Sequence, residues 1–247
     1  MIYNRLANFK LLRMLARSLN SFLSRFGLKL VPKPMSLVDL KVNLCIDVGA
    51  NIGQYGLSLL RNGYGGHILS IEPQPSAHSQ LVNNAKDCPK WIVADPCAVG
   101  DFEGDIVFQI AANSFSSSVL KMNKKHIEAA PESVPMGTIT IPQYKLNSIV
   151  ERHLNILDFK YVYLKLDTQG YEKNILNGIS ENLWSKIIYV ELELSLVELY
   201  SEQELFGYYL EYLRSREFIL INLQSEFTDV KTGEILQLNG LFKRVNY

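Results

Sequence analysis

Along residues 3–30, apolar side chains recur at intervals of three and four: Leu6, Phe9, Leu12, Leu15, Leu19, Phe22, Leu23 and Phe26. That spacing predicts one face of an α-helix. Arg5, Lys10, Arg13, Arg17, Arg25 and Lys29 supply its charge, and the stretch contains no acidic residue. Gly27 ends the helix and "VPKPM" reads as a linker. The favoured expectation is a helix packed on the body of the same chain. The second is a lid or membrane-surface helix, because basic amphipathic helices are drawn to anionic headgroups.

From residue 42 the pattern changes to short apolar runs alternating with amphipathic ones. "VNLCIDVG", "HILSIEP" and "WIVADPCAVG" predict strands, with helices over "NIGQYGLSLLRNG" and "SAHSQLVNNAKD" between them, Ser76 capping the second. Residues 101–150 break the rhythm. "GDIVFQI" reads as an extended edge strand, and "NSFSSSVL" and "HIEAAPESVPMG" read as polar loops of a length that is often functional. The rhythm then resumes with strand "KYVYLKLD", helix "YEKNILNGI", strand "KIIYVELELS" and helix "SEQELFGYYLEYLRSREF". "FILINLQ" and "GLFKRVNY" close the chain as an antiparallel pair at a sheet edge. The expected architecture is α/β: a doubly wound, mostly parallel sheet with helices on both faces. The expected organisation is a helix and linker over residues 1–41 and a single domain over residues 42–247.

Composition narrows the function. Hydrophobic residues make up 47% and charged residues 20%, the balance of a globular protein with a sizeable core. The formal net charge is zero, which supplies no overall field toward nucleic acid. The 3 cysteines, Cys45, Cys88 and Cys97, show no metal or redox spacing, and the 4 histidines are isolated. No apolar run reaches the roughly 18 residues of a spanning helix, and no small-residue cleavage site follows the basic N-terminus. The expectation is a cytoplasmic protein, with peripheral contact at the inner membrane surface if the first helix seeks lipid.

The chemistry concentrates at "LCIDVGANIGQY". A dinucleotide fingerprint wants glycine at the second position of its turn, so that backbone can approach a pyrophosphate. Here the glycines are Gly49 and Gly53, with Asn51 in that slot. Its side chain would crowd a pyrophosphate and suits a nucleoside ligand without one. Asn51 tolerates unusual backbone angles and offers an amide, while Asp47 accepts from an ammonium group or orients the loop. Glu72 ends the next strand about 20 residues later, the interval at which a carboxylate takes a ribose diol. Turn and carboxylate together point to an adenosyl ligand without phosphates, S-adenosylmethionine.

The motifs "IDVGANIGQYGLSLL", "ILSIEPQP", "CAVGD", "YLKLDTQGYEKNILNGI", "ELSLVELY" and "TGEILQLNGLFKRV", in this order, resemble the FkbM-type S-adenosylmethionine-dependent methyltransferases. The resemblance spans roughly residues 42–247. It implies a class I methyltransferase fold, a Rossmann-like seven-stranded sheet with one antiparallel strand, and O-methylation of hydroxyls on sugars, glycans, glycolipids or polyketide-like natural products. It implies that Asp47, Gly49, Asn51 and Gly53 line the methionine end of the cofactor, with Tyr55 near it. Glu72 would hold the ribose, and the segment from Asp95 to Ala98 would border the adenine. Asp167 would stand beside the transferred methyl, followed by Gln169 and Glu172, with Glu193 on the next strand. Asn239 departs from the family, which often has an acidic residue there.

In a doubly wound sheet ligands gather outside the carboxyl ends of the strands, so Asp47, Glu72, Asp167 and Glu193 should face one crevice. Asp167 is the candidate base or hydroxyl-orienting group for methyl transfer. Lys165, two residues earlier and on the same face of the strand, either steadies a developing alkoxide or forms a structural ion pair with Asp167. A Mg²⁺ shared by Asp167 and Glu193 is open but not required by the spacing. The expected partner is a small-molecule or glycan acceptor, with the "NSFSSSVL" and "AAPESVPMG" loops covering it. A non-catalytic module binding the cofactor or a glycan is the main alternative, and a nicotinamide oxidoreductase a weaker one.

Overall fold

The computed structural model describes residues 18–19, 21–26, 37, 40–154 and 159–247. Most of the helix expected over residues 3–30 lies outside these; within that stretch, residues 18–19 and 21–23 are helical and Ser24–Phe26 form a 3-10 turn. The strands among the described residues are β1 (Leu44–Val48), β2 (His67–Ile71), β3 (Trp91–Val93), β4 (Ala98–Val99), β5 (Gly104–Ala111), β6 (Pro135–Tyr144), β7 (Val162–Leu166), β8 (Ile187–Ser195), β9 (Phe218–Thr228) and β10 (Ile235–Arg244). The helices are α1 (Gln54–Arg61), α2 (Pro75–Ala85), α3 (Lys124–Ala129), α4 (Leu146–His153), α5 (Glu172–Gly178), α6 (Glu181–Trp184) and α7 (Phe206–Ser215).

Seven strands make one sheet in the order β3-β2-β1-β7-β8-β10-β9. β3, β2, β1, β7 and β8 are parallel neighbours, and β10 runs antiparallel to both β8 and β9. This is the Rossmann-like, mostly parallel seven-stranded sheet with one antiparallel strand that the resemblance implies. The central strands are buried on both faces, so they read as unbroken apolar runs. Leu44, Ile46 and Val48 of β1 join a core with Leu146 and Val150 of α4, Leu176 of α5 and Leu213 of α7. Cys45, one residue out of phase, joins the opposite core with Leu59 of α1, Leu81 of α2 and Leu37 and Leu40 ahead of the sheet. Each fully buried Leu or Ile contributes roughly 1.5–3 kcal/mol. Against that background a charged residue at β1 position 47 needs its own account.

Four details differ from the sequence expectation. The run "WIVADPCAVG" is two strands: β3 pairs with β2, while β4 leaves the main sheet and pairs with β6. Pro96, between them, has no N–H to give to a ladder. β5 is an edge strand as expected, but of a separate sheet: it lies antiparallel to β6, and β4, β6 and β5 form a sheet of their own. Helix α2 begins at Pro75, whose fixed φ suits the first helical position, and Gln74 rather than Ser76 stands at its N-cap. The stretch read as loop "HIEAAPESVPMG" carries most of α3 and a 3-10 turn, Pro131–Ser133. The small sheet and α3 lie over the carboxyl ends of the parallel strands, where the cavity described below opens.

Candidate active site

β1 delivers the chain into a tight turn in which Gly49, Asn51 and Gly53 all have positive φ, +79°, +49° and +89°. Gly49 has no alternative. A Cβ there would lie 1.8 Å from the carbonyl oxygen of Asp167, so the β1 turn and the end of β7 are pressed together through a missing side chain. The absent Cβ of Gly53 faces Leu81 and Trp91, at 2.8 and 2.9 Å; this glycine lets α1 close on α2 and β3. Asn51, in left-handed backbone that asparagine tolerates, ties the turn outward. Its Nδ2 donates to Ser114 Oγ at 3.1 Å, and its Oδ1 accepts from the Ile52 N–H at 2.7 Å.

Glu72 follows β2 and is 6% exposed. One carboxylate oxygen accepts from the Asn51 N–H and the other from the Gln74 N–H, both at 2.8 Å. The carboxylate is therefore fixed by backbone and still keeps lone pairs for a ligand. Burial pushes its pKa up to about 7 against the pull of these two N–H groups.

The centre of the site is a row of charges in register across the sheet. Asp47 on β1 lies opposite Lys165 on β7, and Lys165 lies opposite Glu191 on β8. Asp47 is fully buried, and neither of its carboxylate oxygens has a hydrogen-bond partner among the described residues. Its closest cation is Lys165 Nζ at 3.7 Å. Burial lifts the Asp47 pKa to about 6, with Lys165 opposing. The same ammonium donates to Asp167 Oδ2 at 2.9 Å. Burial works to raise the Asp167 pKa, but Lys165 and the Gln169 amide together hold it below the usual carboxylate range. Asp167 keeps 33% of its side chain exposed, against 11% for Lys165. Glu191 closes the row below the turn, accepting from Asn239 Nδ2 at 2.7 Å, from the Tyr55 hydroxyl at 3.2 Å and from the Tyr163 hydroxyl.

After Asp167 the chain passes through Gln169 and Gly170, both at positive φ. Glu172, buried at the start of α5, holds this loop by accepting from the Thr168 N–H and hydroxyl, each at 3.0 Å, and from the Gly170 N–H at 3.2 Å. Gln169 Nε2 donates to Asp167 Oδ1 at 3.1 Å and to Glu193 Oε2 at 2.7 Å, while its Oε1 accepts from the Tyr200 hydroxyl at 3.0 Å. Flipping the amide would turn its oxygen toward Asp167 and Glu193 and lose both bonds to them. Burial, with Asp167 nearby, pushes the Glu193 pKa well above its ordinary value.

These strand ends bound a cavity of about 350 Å³. Gly49, Asn51, Glu72, Asp167, Gln169 and Glu193 all stand on its wall, as do residues 97–99 and 113–117. Its size is that of a small-molecule or cofactor site. The "NSFSSSVL" loop covers it, and α3 and the segment after it contribute His126, Ala130 and Glu132.

Residues 47–220 match the family model described as the methyltransferase FkbM domain. The chain belongs to that family. A curated relative of this FkbM-domain chain, Methyltransferase 1 of Beauveria bassiana (strain ARSEF 2860), is 24% identical over 157 residues. The match covers 60% of this chain and 63% of the relative, so the chain spans just under two thirds of that protein. Among solved structures, it is similar to TehB from Haemophilus influenzae (9% identity, TM-score 0.45, covering 84% of this chain and 59% of that one). It is also similar to M. capricolum TrmK in complex with S-adenosyl-homocysteine (8% identity, TM-score 0.45, covering 84% and 64%).

Within this FkbM domain, the residues singled out from sequence divide into two layers. Glu72, Asp167, Glu193, Gly49, Asn51 and Ala98 reach the cavity. Asp47, Lys165, Gly53 and Tyr55 lie beneath or behind its wall, and Asp95 is exposed beside it, with Cys97 facing inward. Sequence reasoning did not single out His126, Glu226, Phe227 or Gln237, which also line it. They come from α3 and the β9–β10 hairpin, far along the chain from the glycine turn, and carry no spacing signal. Among the described residues no three His, Cys, Asp or Glu side chains gather as a metal-ligand set. The pair considered for Mg²⁺, Asp167 and Glu193, is joined by the amide of Gln169. No helix among the described residues is long and apolar enough to cross a membrane.

Proposed function

We propose that this chain transfers a methyl group from S-adenosylmethionine to an alcohol oxygen of a sugar, glycan, glycolipid or polyketide-like acceptor. The observation that carries the reading is the placement of two carboxylates of opposite tuning on one cavity wall. Glu72 is anchored by backbone at the end of β2, and Asp167 is held ionised by Lys165 at the end of β7.

The donor set suits that cofactor. Glu72 can accept from both hydroxyls of a ribose diol while its other lone pairs stay on the turn. Ile71, Pro73, Ala98 and Val99 form an apolar slot beside it for a base. The Gly49–Asn51 turn lies toward the methionine end, and its left-handed backbone brings main chain to the cavity wall. The cofactor supplies an electrophilic methyl on a cationic sulfur.

The chain's own part is to aim an acceptor hydroxyl and take its proton. Asp167 accepts a hydrogen bond from the hydroxyl and directs the oxygen lone pair at the methyl carbon. As the oxygen–carbon bond forms and the carbon–sulfur bond breaks, the hydroxyl proton becomes strongly acidic and passes to Asp167, then to solvent. A carboxylate of low pKa is adequate for this because the proton leaves late. Lys165 and Gln169 keep Asp167 charged and oriented.

Calorimetry with S-adenosylhomocysteine and a thermal shift against NADH test the cofactor half. Binding of the former and not the latter is expected, and the reverse result would overturn the reading. Label transfer from methyl-tritiated cofactor to hydroxyl acceptors tests the reaction.

A further inference from the structure

The cavity has two ends, set by the order of strands in the sheet. Glu72 lies at the β2 side, Asp167 at β7 in the middle, and Glu193 and Gln237 at the β8–β10 side, joined to each other at 3.3 Å. Beyond them stand Glu226 and Phe227 of β9, His126 of α3 and Glu132. We propose that this β8–β10–β9 end is the acceptor subsite, and that it admits an uncharged, hydroxyl-rich ring while rejecting phosphorylated or carboxylated forms of the same ring. The proposal rests on the methyl-transfer reading above and deepens it.

Charge and aromatic walls support it. Among the described residues, the cavity wall contains carboxylates but no Lys or Arg. The ammonium of Lys165 sits beneath it, committed to Asp167 and Asp47. Lys125, next to His126 in the chain, is paired with Glu234 at 2.6 Å. An anionic group entering this end would meet three carboxylates, Asp167, Glu132 and Glu226, and no cation on the wall itself. Glu72 and Asp167 can be explained by a cationic cofactor, but Glu132 and Glu226 stand at the far end from Glu72.

His126 supports a polar ligand at this end. It is 4% exposed, lines the cavity, and its Nδ1 is buried without a hydrogen-bond partner. Its Nε2 lies 3.3 Å from Ser116 Oγ. The ring is wedged at 5.2 Å from Tyr200 and 5.3 Å from Phe227. Burial lowers its pKa to about 4, so at neutral pH it presents an uncharged imidazole. A buried nitrogen left without a partner is costly, and a small turn of the ring that opens Nδ1 to the cavity would let a ligand hydroxyl satisfy it. Phe227 and Phe115 offer flat apolar surface for the C–H face of a ring.

Saturation-transfer NMR on the S-adenosylhomocysteine-loaded protein tests this directly. The probes are the methyl glycosides of glucose, galactose, mannose, fucose and rhamnose, each against the corresponding sugar 1-phosphate. At least one methyl glycoside should bind, with its phosphate at least ~10-fold weaker through repulsion from the three carboxylates. The double variant Glu132→Gln/Glu226→Gln should narrow that gap by roughly threefold or more. His126→Phe should weaken the glycoside while S-adenosylhomocysteine still raises the melting temperature, which serves as the fold control. Phosphates binding as well as glycosides, no glycoside binding at all, or a gap unmoved in the glutamine variant would each overturn the subsite. Failure of S-adenosylhomocysteine itself to bind would instead bring down the cofactor reading on which it rests.

Discussion

Lys165→Met isolates the role of the buried charge row. The substitution keeps length and apolar volume but removes the cation that serves Asp47 at 3.7 Å and Asp167 at 2.9 Å. Removing one partner of a buried pair typically costs about 3–5 kcal/mol. Asp167 is a third exposed, so solvent relieves part of its loss, and the dominant share falls on Asp47. A total near 3 kcal/mol is expected at about pH 8, or a fall in melting temperature of roughly 6–12 °C for a domain of this size. The pH dependence is the sharper part. Asp47 has a folded pKa raised from 3.8 to about 6, so its ionisation opposes folding as pH rises through that value. Without Lys165 its folded pKa rises further. Above pH 6 the wild type then carries a charge that the variant refuses, and the difference in stability grows by up to about 1.4 kcal/mol per pH unit until the variant also ionises. Urea denaturation of both proteins between about pH 5 and 8 reads this out, with m unchanged. A penalty that is the same at both ends of the range would refute the assignment of Asp47 as the residue that Lys165 sustains.

Gly49→Ala should cost at least roughly 1–2 kcal/mol from the left-handed backbone alone, and more from the 1.8 Å approach to the Asp167 carbonyl. Its S-adenosylhomocysteine binding, followed by calorimetry, should collapse. Glu72→Gln should weaken the same ligand by about 1.5–3 kcal/mol, the scale of hydrogen bonds to a charged group. In the wild type, affinity should decline as pH falls below about 7 and Glu72 takes its proton; a flat binding profile across that range would count against Glu72 as the diol acceptor. Asp167→Asn should lower turnover by about 10²–10⁴-fold with ligand affinity nearly unchanged, and a folded variant with near-normal turnover would remove Asp167 from the chemistry.

Much of this fold could be read from the chain because parallel strands buried on both faces leave long apolar runs, and because the glycine turn after "LCIDV" marks the first of them. The readings weakened where one segment serves two sheets. "WIVADPCAVG" looks continuous, yet its two halves pair with different partners on either side of Pro96. Periodicity reports which residues are buried, not against what. The same limit applied at the site. The sequence pattern puts Asp47, Lys165, Gly53 and Tyr55 at or near strand ends, but whether a side chain faces the cavity or the layer beneath depends on packing. Gly53 looked like a residue that admits a ligand and proves to admit Trp91. Asn239 acquires a structural role that sequence left open, since its amide donates to Glu191. His126 was illegible for a different reason: it reaches the cavity on a short helix, and the aromatic residues that hold it, Tyr200 and Phe227, lie well further along the chain.

On the proposed function, the arrangement gives a role to a fully buried aspartate that has no hydrogen bonds among the described residues. Lys165 has two carboxylates within reach, and the geometry shares it unequally. Asp167, with the shorter contact and an amide on its other oxygen, is kept ionised below the ordinary range. Asp47, with the longer contact and no other donor, is left to titrate near pH 6. Above that pH the three groups together carry one net negative charge, and a cationic cofactor sulfur in the cavity above would be favoured by it. Below it Asp47 is neutral and the trio balances, so the attraction would weaken while Asp167 would keep its charge for the proposed acceptor hydroxyl. Cofactor attraction and hydroxyl orientation would therefore lose their electrostatic support at different pH values: the first near the Asp47 transition, the second only where Asp167 itself protonates.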